Sequence, residues 1–374
     1  MNENVLPNGS WLKKGEYEII SAIGSGGFGI TYLAIQTGLQ RQVAIKEFFI
    51  SDCCRREFGK YNVCVCDKEH EPVFFQFMEK FYKEAHTIAS LSNEHTIKII
   101  DLFKENKTAY YVMEYIDGIS LYQYVRNKGP VSEQETIHII SQVADALQDV
   151  HQKKILHLDV KPANVMLRQS ETGIDAVLID FGISKRYTDD GRATSIAGQG
   201  AYSIGYSPME QLTRGGLDAF APATDIYSLA ATMFYMLTGN NPPSAFDVAK
   251  FGLDFGNVTV SEVVKQAIGV AMLEDKNDRP QSATDFVAIL YGKKSFEARV
   301  SVPQKKKDKS SKVNASVDYE LYLDRFLSGN TTELPQDQLE EMRKQMKKQN
   351  TQHFLWNIVA VIFVILATIL YLLL

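Results

Sequence analysis

Cysteine is scarce in this 374-residue chain. There are four, Cys53, Cys54, Cys64 and Cys66, all in one short stretch. No bridges are spread over the chain, so a disulfide scaffold is excluded and a reducing compartment is the default. Positive charge is not in excess either. Forty Lys and Arg against 45 Asp and Glu leave a net charge of −5, so the whole chain offers no basic footprint for nucleic acid. The N-terminus, MNENVLPNGSWLKKG, holds no apolar run and therefore no secretory signal. Internal repeats are absent. What remains is ordinary for a packed protein, with 45% hydrophobic and 23% charged residues, which excludes a wholly disordered or collagenous chain.

One long apolar run does occur, at the C-terminal end. Residues 354–374 carry no charge. At about 1.5 Å rise per residue such a helix reaches roughly 31 Å, close to a hydrocarbon core of about 30 Å. Trp356 sits near one end, and Arg343, Lys344, Lys347 and Lys348 precede it. The positive-inside rule then puts the main body in the cytoplasm. The reading is a single-pass tail anchor with no external sensor domain; a buried globular helix of this length without charge is the weaker alternative. The segment 292–353 reads as a polar juxtamembrane linker. Its QKKKDKSSK run (304–312) is a solvated stretch first and a contact for anionic lipid second. DYELYLDRFL (318–327) reads as a short amphipathic helix, and Leu339, Met342 and Met346 after Pro335 have helical spacing. Dimerisation through that stripe has no further support.

The body, residues 17–291, changes character along its length. ITYLAIQ (30–36), QVAIKEFF (42–49), IKIIDLF (97–103) and AYYVMEY (109–115) read as strands. After Gly118 the pattern turns helical, with Ile137, Ile140, Val143, Ala144, Leu147 and Val150 on one face. IYSLAATMFYML (226–237) is apolar all round, as in a central buried helix. Strands first and helices after give an α+β protein with two lobes, 17–116 and 117–291.

Four motifs follow in a fixed order. Ile23-Gly24-Ser25-Gly26-Gly27-Phe28-Gly29 allows close approach of backbone N–H groups to phosphates. Alone it also fits a plain turn or a dinucleotide fingerprint. A strand follows it, where the fingerprint needs a helix, which favours a hairpin flap over a nucleotide. Lys46 in Val43-Ala44-Ile45-Lys46 is costly in an apolar strand without negative partners. Phosphates would supply them, with Glu84 in the later helical run FYKEAHTIASL as the acidic partner. His157-Leu158-Asp159-Val160-Lys161-Pro162-Ala163-Asn164 puts a base, a phosphate-binding cation and a metal-binding oxygen on one loop. Asp180-Phe181-Gly182 ends an apolar strand with a carboxylate suited to Mg²⁺. Each alone also fits an ordinary turn or surface loop; the ordered set does not.

This set, with Ser207-Pro208-Met209-Glu210, resembles the eukaryotic-like (Hanks-type) Ser/Thr protein kinases over residues 17–291. The phrases GGFGITYLA and LTGNNPPSA look most like bacterial members. The resemblance implies a bilobal protein-kinase fold, a β-rich N-lobe over a helical C-lobe, with ATP between them. Gly24, Gly26 and Gly29 would cover the phosphates, with Ile23, Ser25, Gly27 and Phe28 in the same flap. Lys46 would pair with the α/β-phosphates and Glu84. Thr31, Ala44 and Met166 would enclose the adenine, Met113 would stand at the gatekeeper place, and Glu114 to Ile116 would offer hinge backbone. Asp159 would act as base, Lys161 would contact the γ-phosphate, and Asn164 and Asp180 would hold Mg²⁺. Glu210 and Arg279 would form a buried ion pair, and Asp225 would anchor the catalytic loop.

Three departures stand out. Leu158 replaces the usual arginine before the catalytic aspartate, which in the family binds an activation-loop phosphate. Thr31 replaces a valine, and SPME stands in for Ala-Pro-Glu. None removes a catalytic group, so an active membrane-tethered enzyme is favoured over a pseudokinase scaffold. A kinase-like enzyme for small molecules is disfavoured by the DVKPAN loop and Arg279. Ser203 matches the family's substrate-positioning threonine, and Thr188, Thr194 and Ser195 are phosphosite candidates. The insert between Lys46 and Glu84 carries all four cysteines. A hairpin with half-buried thiols is its plainest reading, ahead of redox sensing and of zinc with His70.

Overall fold

The computed structural model describes residues 4–27, 29–57, 60–171, 173–181, 203–212 and 220–294. The expected helices at 318–327 and after Pro335, the linker beyond residue 294 and the apolar run 354–374 lie outside the described residues. Among the described residues no helix is long and apolar enough to cross a membrane. Phe28, Gly182, Thr188, Thr194 and Ser195 also lie outside them.

The N-terminal lobe is a six-stranded antiparallel sheet carrying one long helix. Its strands are β1 (Trp11–Leu12), β2 (Tyr17–Gly26), β3 (Gly29–Gln36), β4 (Arg41–Phe48), β7 (Ile99–Glu105) and β8 (Thr108–Glu114), in spatial order β1-β2-β3-β4-β8-β7. Alternation in β4 turns Val43 and Ile45 inward, and Tyr17, Ile19, Tyr32 and Val112 are buried with them. The four strands expected from the sequence fall where they were read, within two residues. The tight β7–β8 turn places Asn106 and Lys107 at positive φ (52° and 58°). The core extends beyond the boundary expected at Tyr17, because Leu6 and Leu12 are buried in it.

Between β4 and the helix, the insert folds into a separate hairpin of β5 (Cys54–Arg56) and β6 (Val63–Val65). Helix α1 (Glu71–Ile88) follows, with Phe74, Phe77, Met78, Phe81, Ala85 and Ile88 on its buried face. This 3–4 spacing is a helical apolar stripe. The ring of Phe81 stacks on Tyr111 at 5.1 Å and that of Phe48 meets Phe74 at 5.2 Å, which seats α1 on the sheet.

The second lobe begins at β9 (Ile119–Ser120), α2 (Leu121–Lys128) and α3 (Glu133–Gln152). Ser120 and Ser132 cap α2 and α3, each accepting from the backbone N–H three residues on. In α3 the expected face is buried apart from half-buried Ile137. A small sheet of β11 (Gly173–Leu178), β10 (Val165–Ser170) and β9 then forms the floor beneath the first lobe. Gly118 is required where the lobes meet, since a Cβ there would lie 2.1 Å from the Leu167 carbonyl oxygen. After α4 (Met209–Leu212) comes α5 (Pro222–Thr238), buried at every residue from Ala223 to Thr238. Helices α6 (Ala245–Phe251), α7 (Glu262–Ala271) and α8 (Ala283–Leu290) pack around it. The architecture is the bilobal α+β arrangement read from the sequence.

Candidate active site

The flap is a strand-to-strand hairpin. Gly26 of β2 pairs with Gly29 of β3, and Gly24 with Thr31. Space beside Gly26 and Gly27 is open, with no atom within 4 Å of where a Cβ would stand. Gly29 has no such freedom, because its Cβ would lie 2.9 Å from the Glu47 carbonyl oxygen. The flap residues 23–27 are exposed, Ile23 included.

Behind the flap, strand register lines up the expected adenine wall. Thr31 pairs with Lys46, Leu33 with Ala44, and Ala44 with Met113. Ala44, Met113 and Ile116 are buried, while Met166 on β10 and Glu114 are half-buried. Ser25 lies on the outer arm of the hairpin opposite Ile30.

Lys46 Nζ lies 2.7 Å from Asp180 Oδ1, across 134 residues of sequence. Burial by itself would lower the lysine pKa. The charges of Asp180, Tyr111 and Asp159 outweigh it, so the group stays cationic and its pKa is raised. Burial likewise pushes the Tyr111 phenol up to about 12. Glu84 is half-buried on α1, and its charge acts on that same Tyr111 phenol. Lys46 is therefore paired with Asp180 in this structure, and a Lys46–Glu84 pair remains an expectation of the resemblance.

The catalytic loop gathers four side chains into one network. Asp159 Oδ2 lies 2.9 Å from Lys161 Nζ and accepts from Asn164 Nδ2 at 2.9 Å. Its Oδ1 accepts from Ser203 Oγ at 3.1 Å, and Lys161 Nζ reaches that hydroxyl at 3.2 Å. Asn164 Nδ2 also donates to the Asp159 carbonyl at 2.8 Å. The Asn164 carbonyl in turn accepts from Ile179 N–H at 2.9 Å, which joins the loop to the segment carrying Asp180.

The loop is held from below. Asp225, fully buried on α5, accepts from the backbone N–H of His157 at 2.8 Å and of Leu158 at 2.7 Å. It also lies 2.8 Å from His151 Nε2. Burial would raise the carboxyl pKa, but the His151 contact and the neighbouring histidines draw it below the usual value. His157 is buried between Asp225 and Phe181, its ring 4.7 Å from the phenyl ring and its Nε2 3.0 Å from the Ile179 carbonyl. Burial lowers its pKa below 6.5 despite nearby carboxylates. Farther out, Arg279 is completely buried and grips Glu210 with two bonds, Nη1–Oε1 at 2.7 Å and Nη2–Oε2 at 3.0 Å.

The residues fit a nucleotide and its metal. Among the described residues no group of three or more His, Cys, Asp or Glu could hold a metal ion. Mg²⁺ needs no such cage, since it is bound through one or two carboxylates plus phosphate oxygens. Asn164 spends its amide nitrogen on Asp159, which leaves its oxygen as the group it offers a cation. Asp180 is the adjoining carboxylate.

Sequence reasoning missed two features beside the site. Arg56 of the insert is buried against Glu47 at 2.7 Å, and Glu47 also accepts from Tyr32 and Tyr110 hydroxyls at 2.8 and 2.7 Å. A glutamate next to Lys46 and an arginine in the insert were the only available signal, and their spacing names no contact. Ser51 N–H donates to the Gly27 carbonyl at 3.2 Å, tying the insert to the flap.

Comparison with known proteins agrees with this geometry. The family model for the protein kinase domain matches residues 17–309. Serine/threonine-protein kinase F of Synechocystis sp. is 31% identical over 313 residues, which is 78% of this chain and 59% of that one. Serine/threonine-protein kinase PrkC of Bacillus subtilis is 31% identical over 296 residues, 76% of this chain and 41% of the relative. The chain thus spans about half the length of the curated relatives it matches. Among solved structures, the apo form of PpkA-294 aligns with a TM-score of 0.63 at 25% identity, covering 77% of this chain and 99% of that one. The Mycobacterium tuberculosis PknI kinase domain shares the fold at a TM-score of 0.52 and 21% identity. The chain belongs to the protein kinase family, among the Hanks-type relatives found in bacteria.

Proposed function

We propose that this domain transfers the γ-phosphate of ATP to serine or threonine hydroxyls of proteins. The observation that carries the reading is the meeting of Asp159, Lys161, Asn164 and Ser203 in one hydrogen-bonded group. Asp159 orients the incoming hydroxyl and accepts its proton; Lys161 and Asn164 hold the carboxylate at a fixed angle for that transfer. Lys161, reaching Ser203 as well, sits where a γ-phosphate and an acceptor hydroxyl would meet. Lys46 takes the α/β-phosphates. The flap residues Gly24, Gly26, Gly27 and Gly29 close over them and exclude water. Bound through Asn164 and Asp180, Mg²⁺ would neutralise charge on the phosphate oxygens. Thr31, Ala44, Met113 and Met166 form an apolar slot for adenine, with Glu114 and Ile116 backbone at its edge.

The test uses the full chain in detergent with ATP and Mg²⁺, a generic protein acceptor, and mass spectrometry of the products. Phosphoserine or phosphothreonine, largely lost in Asp159→Asn, is the expected result. ATP bound without transfer in the unaltered chain would overturn the reading in favour of a nucleotide-binding scaffold.

We propose further that residues 354–374 span a bilayer once, with the kinase domain cytoplasmic. The charge-free length and the basic residues before it support this. After alkaline carbonate washing, the chain should stay with the membranes; release into the supernatant would refute the span.

A further inference from the structure

The insert carries all four cysteines, and the nucleotide site uses none of them. Three of the thiols lie together. Cys53 Sγ is 3.8 Å from Cys54 Sγ. Cys54 pairs with Val65 and Arg55 with Cys64 across the hairpin. Extending that register by one residue sets Cys53 opposite Cys66, and Cys66 N–H donates to the Cys53 carbonyl at 2.8 Å. Residues directly opposite in an antiparallel ladder have Cα atoms about 4.5–5.5 Å apart. A disulfide spans roughly 4.4–6.8 Å between Cα atoms. Opposed residues also project to the same face of a ladder. Cys66 is exposed, Cys53 half-buried and Cys54 buried.

This hairpin is tied to the flap. Ser51 N–H donates to the Gly27 carbonyl at 3.2 Å. The same short turn closes on Ile50, whose carbonyl accepts from Cys53 N–H at 3.2 Å and Cys54 N–H at 2.9 Å. At the other end of β5, Arg56 is buried against Glu47, the neighbour of Lys46. The thiols therefore sit on a device that touches the flap tip and the lysine strand together.

We propose that Cys53 and Cys66 are a reversible redox modification site, closing into a disulfide that restrains the glycine flap. The oxidant is a peroxide. The exposed Cys66 thiolate attacks it; an S–O bond forms, the O–O bond breaks, and water or an alcohol leaves. Cys53 then attacks the sulfenic sulfur, the S–S bond forms and water leaves. The two thiols lose two electrons and the peroxide gains them. A dithiol reductant reverses the step. Burial pushes the thiols of Cys53 and Cys54 up, so Cys66 attacks first and Cys53 resolves. A bond between the adjacent Cys53 and Cys54 would have to distort the backbone that joins them, which favours Cys66 as the partner.

The cross-link fixes the base of the hairpin, and with it the turn that holds Gly27. Its effect on ATP rests on the kinase reading above; its formation does not. Flap opening gates nucleotide release, so the oxidised enzyme should show a lower kcat together with a lower KM for ATP, each by severalfold.

The experiment takes the full chain, reduced, and treats it with hydrogen peroxide before alkylation, digestion and mass spectrometry. A Cys53–Cys66 linked peptide is expected, lost on adding dithiothreitol, retained in Cys64→Ser and absent in Cys66→Ser. Fully alkylated thiols, Cys66 sulfinate as the sole product, or a Cys53–Cys54 link would overturn the site. Kinetics of the oxidised and reduced chain run beside it, with peroxide-treated Cys66→Ser unchanged. Identical kcat and KM in linked and reduced enzyme would overturn the restraint on the flap. Absence of transfer in both states would refute the kinase reading, while the peptide map still decides the cross-link.

Discussion

Asp225 Oδ1 accepts a 2.7 Å hydrogen bond from Leu158 N–H, and Leu158 adopts a left-handed backbone with φ of +58°. A bulky residue in that region costs about 1–2 kcal/mol. The cost is sustained because a buried carboxylate holds two consecutive N–H groups, and the next residue is Asp159. Asp225→Asn should therefore loosen the loop by about 2–3 kcal/mol, since bonds to a charged acceptor are lost and an amide donor faces other donors. Urea denaturation and transfer rates check it together; an unchanged stability would refute the anchoring role.

Asp159→Asn should lower kcat by about 10²–10⁴, the usual contribution of a positioned base. One side-chain oxygen remains as an acceptor and Asn164 keeps its bond to the backbone carbonyl of residue 159, so the fold should persist. Circular dichroism and single-turnover transfer separate the two effects.

The resemblance puts Leu158 where an arginine would receive a loop phosphate, and Leu158 is buried. Phosphatase treatment, or Thr194→Ala with Ser195→Ala, should leave kcat for an added substrate unchanged. A large loss would show that another cation receives the phosphate.

Arg279 is fully buried and its partner Glu210 is 12% exposed. Removing one member leaves the other charge without its counterpart. Arg279→Met should cost about 3–5 kcal/mol. Adding Glu210→Gln to it should cost less than the sum of the two single changes, a coupling that a double-variant cycle measures.

Acid should destabilise the catalytic loop in two steps. His157 has a depressed folded pKa, so only the unfolded chain takes up its proton as pH falls below about 6.5. Stability is full above that value and declines below it, by at most about 1.4 kcal/mol per pH unit for this one group. Asp225 has a depressed pKa too, and its contribution is present above its unfolded value of 3.8 and lost as pH falls through the lower folded one. Denaturation between pH 7.5 and 5.5 should show the first decline, and His157→Gln should flatten it.

The sequence by itself determined the order and type of elements. Period-two and 3.6-residue patterns are local, and they located β3, β4, β7, β8, α3 and α5. The resemblance implied that the flap, Lys46, Asp159, Asn164 and Asp180 share one cleft, and it implied the ion pair of Glu210 with Arg279, which the structure shows. Tertiary structure decided what no spacing encodes. It chose Asp180 as the partner 2.7 Å from Lys46, although 134 residues separate them. It buried Arg56 on Glu47, drew Leu6 and Leu12 into the core, and brought Cys66 N–H onto the Cys53 carbonyl. Each of these depends on how separate segments are brought together, and burial makes the Arg56–Glu47 pair matter where a solvated pair would not.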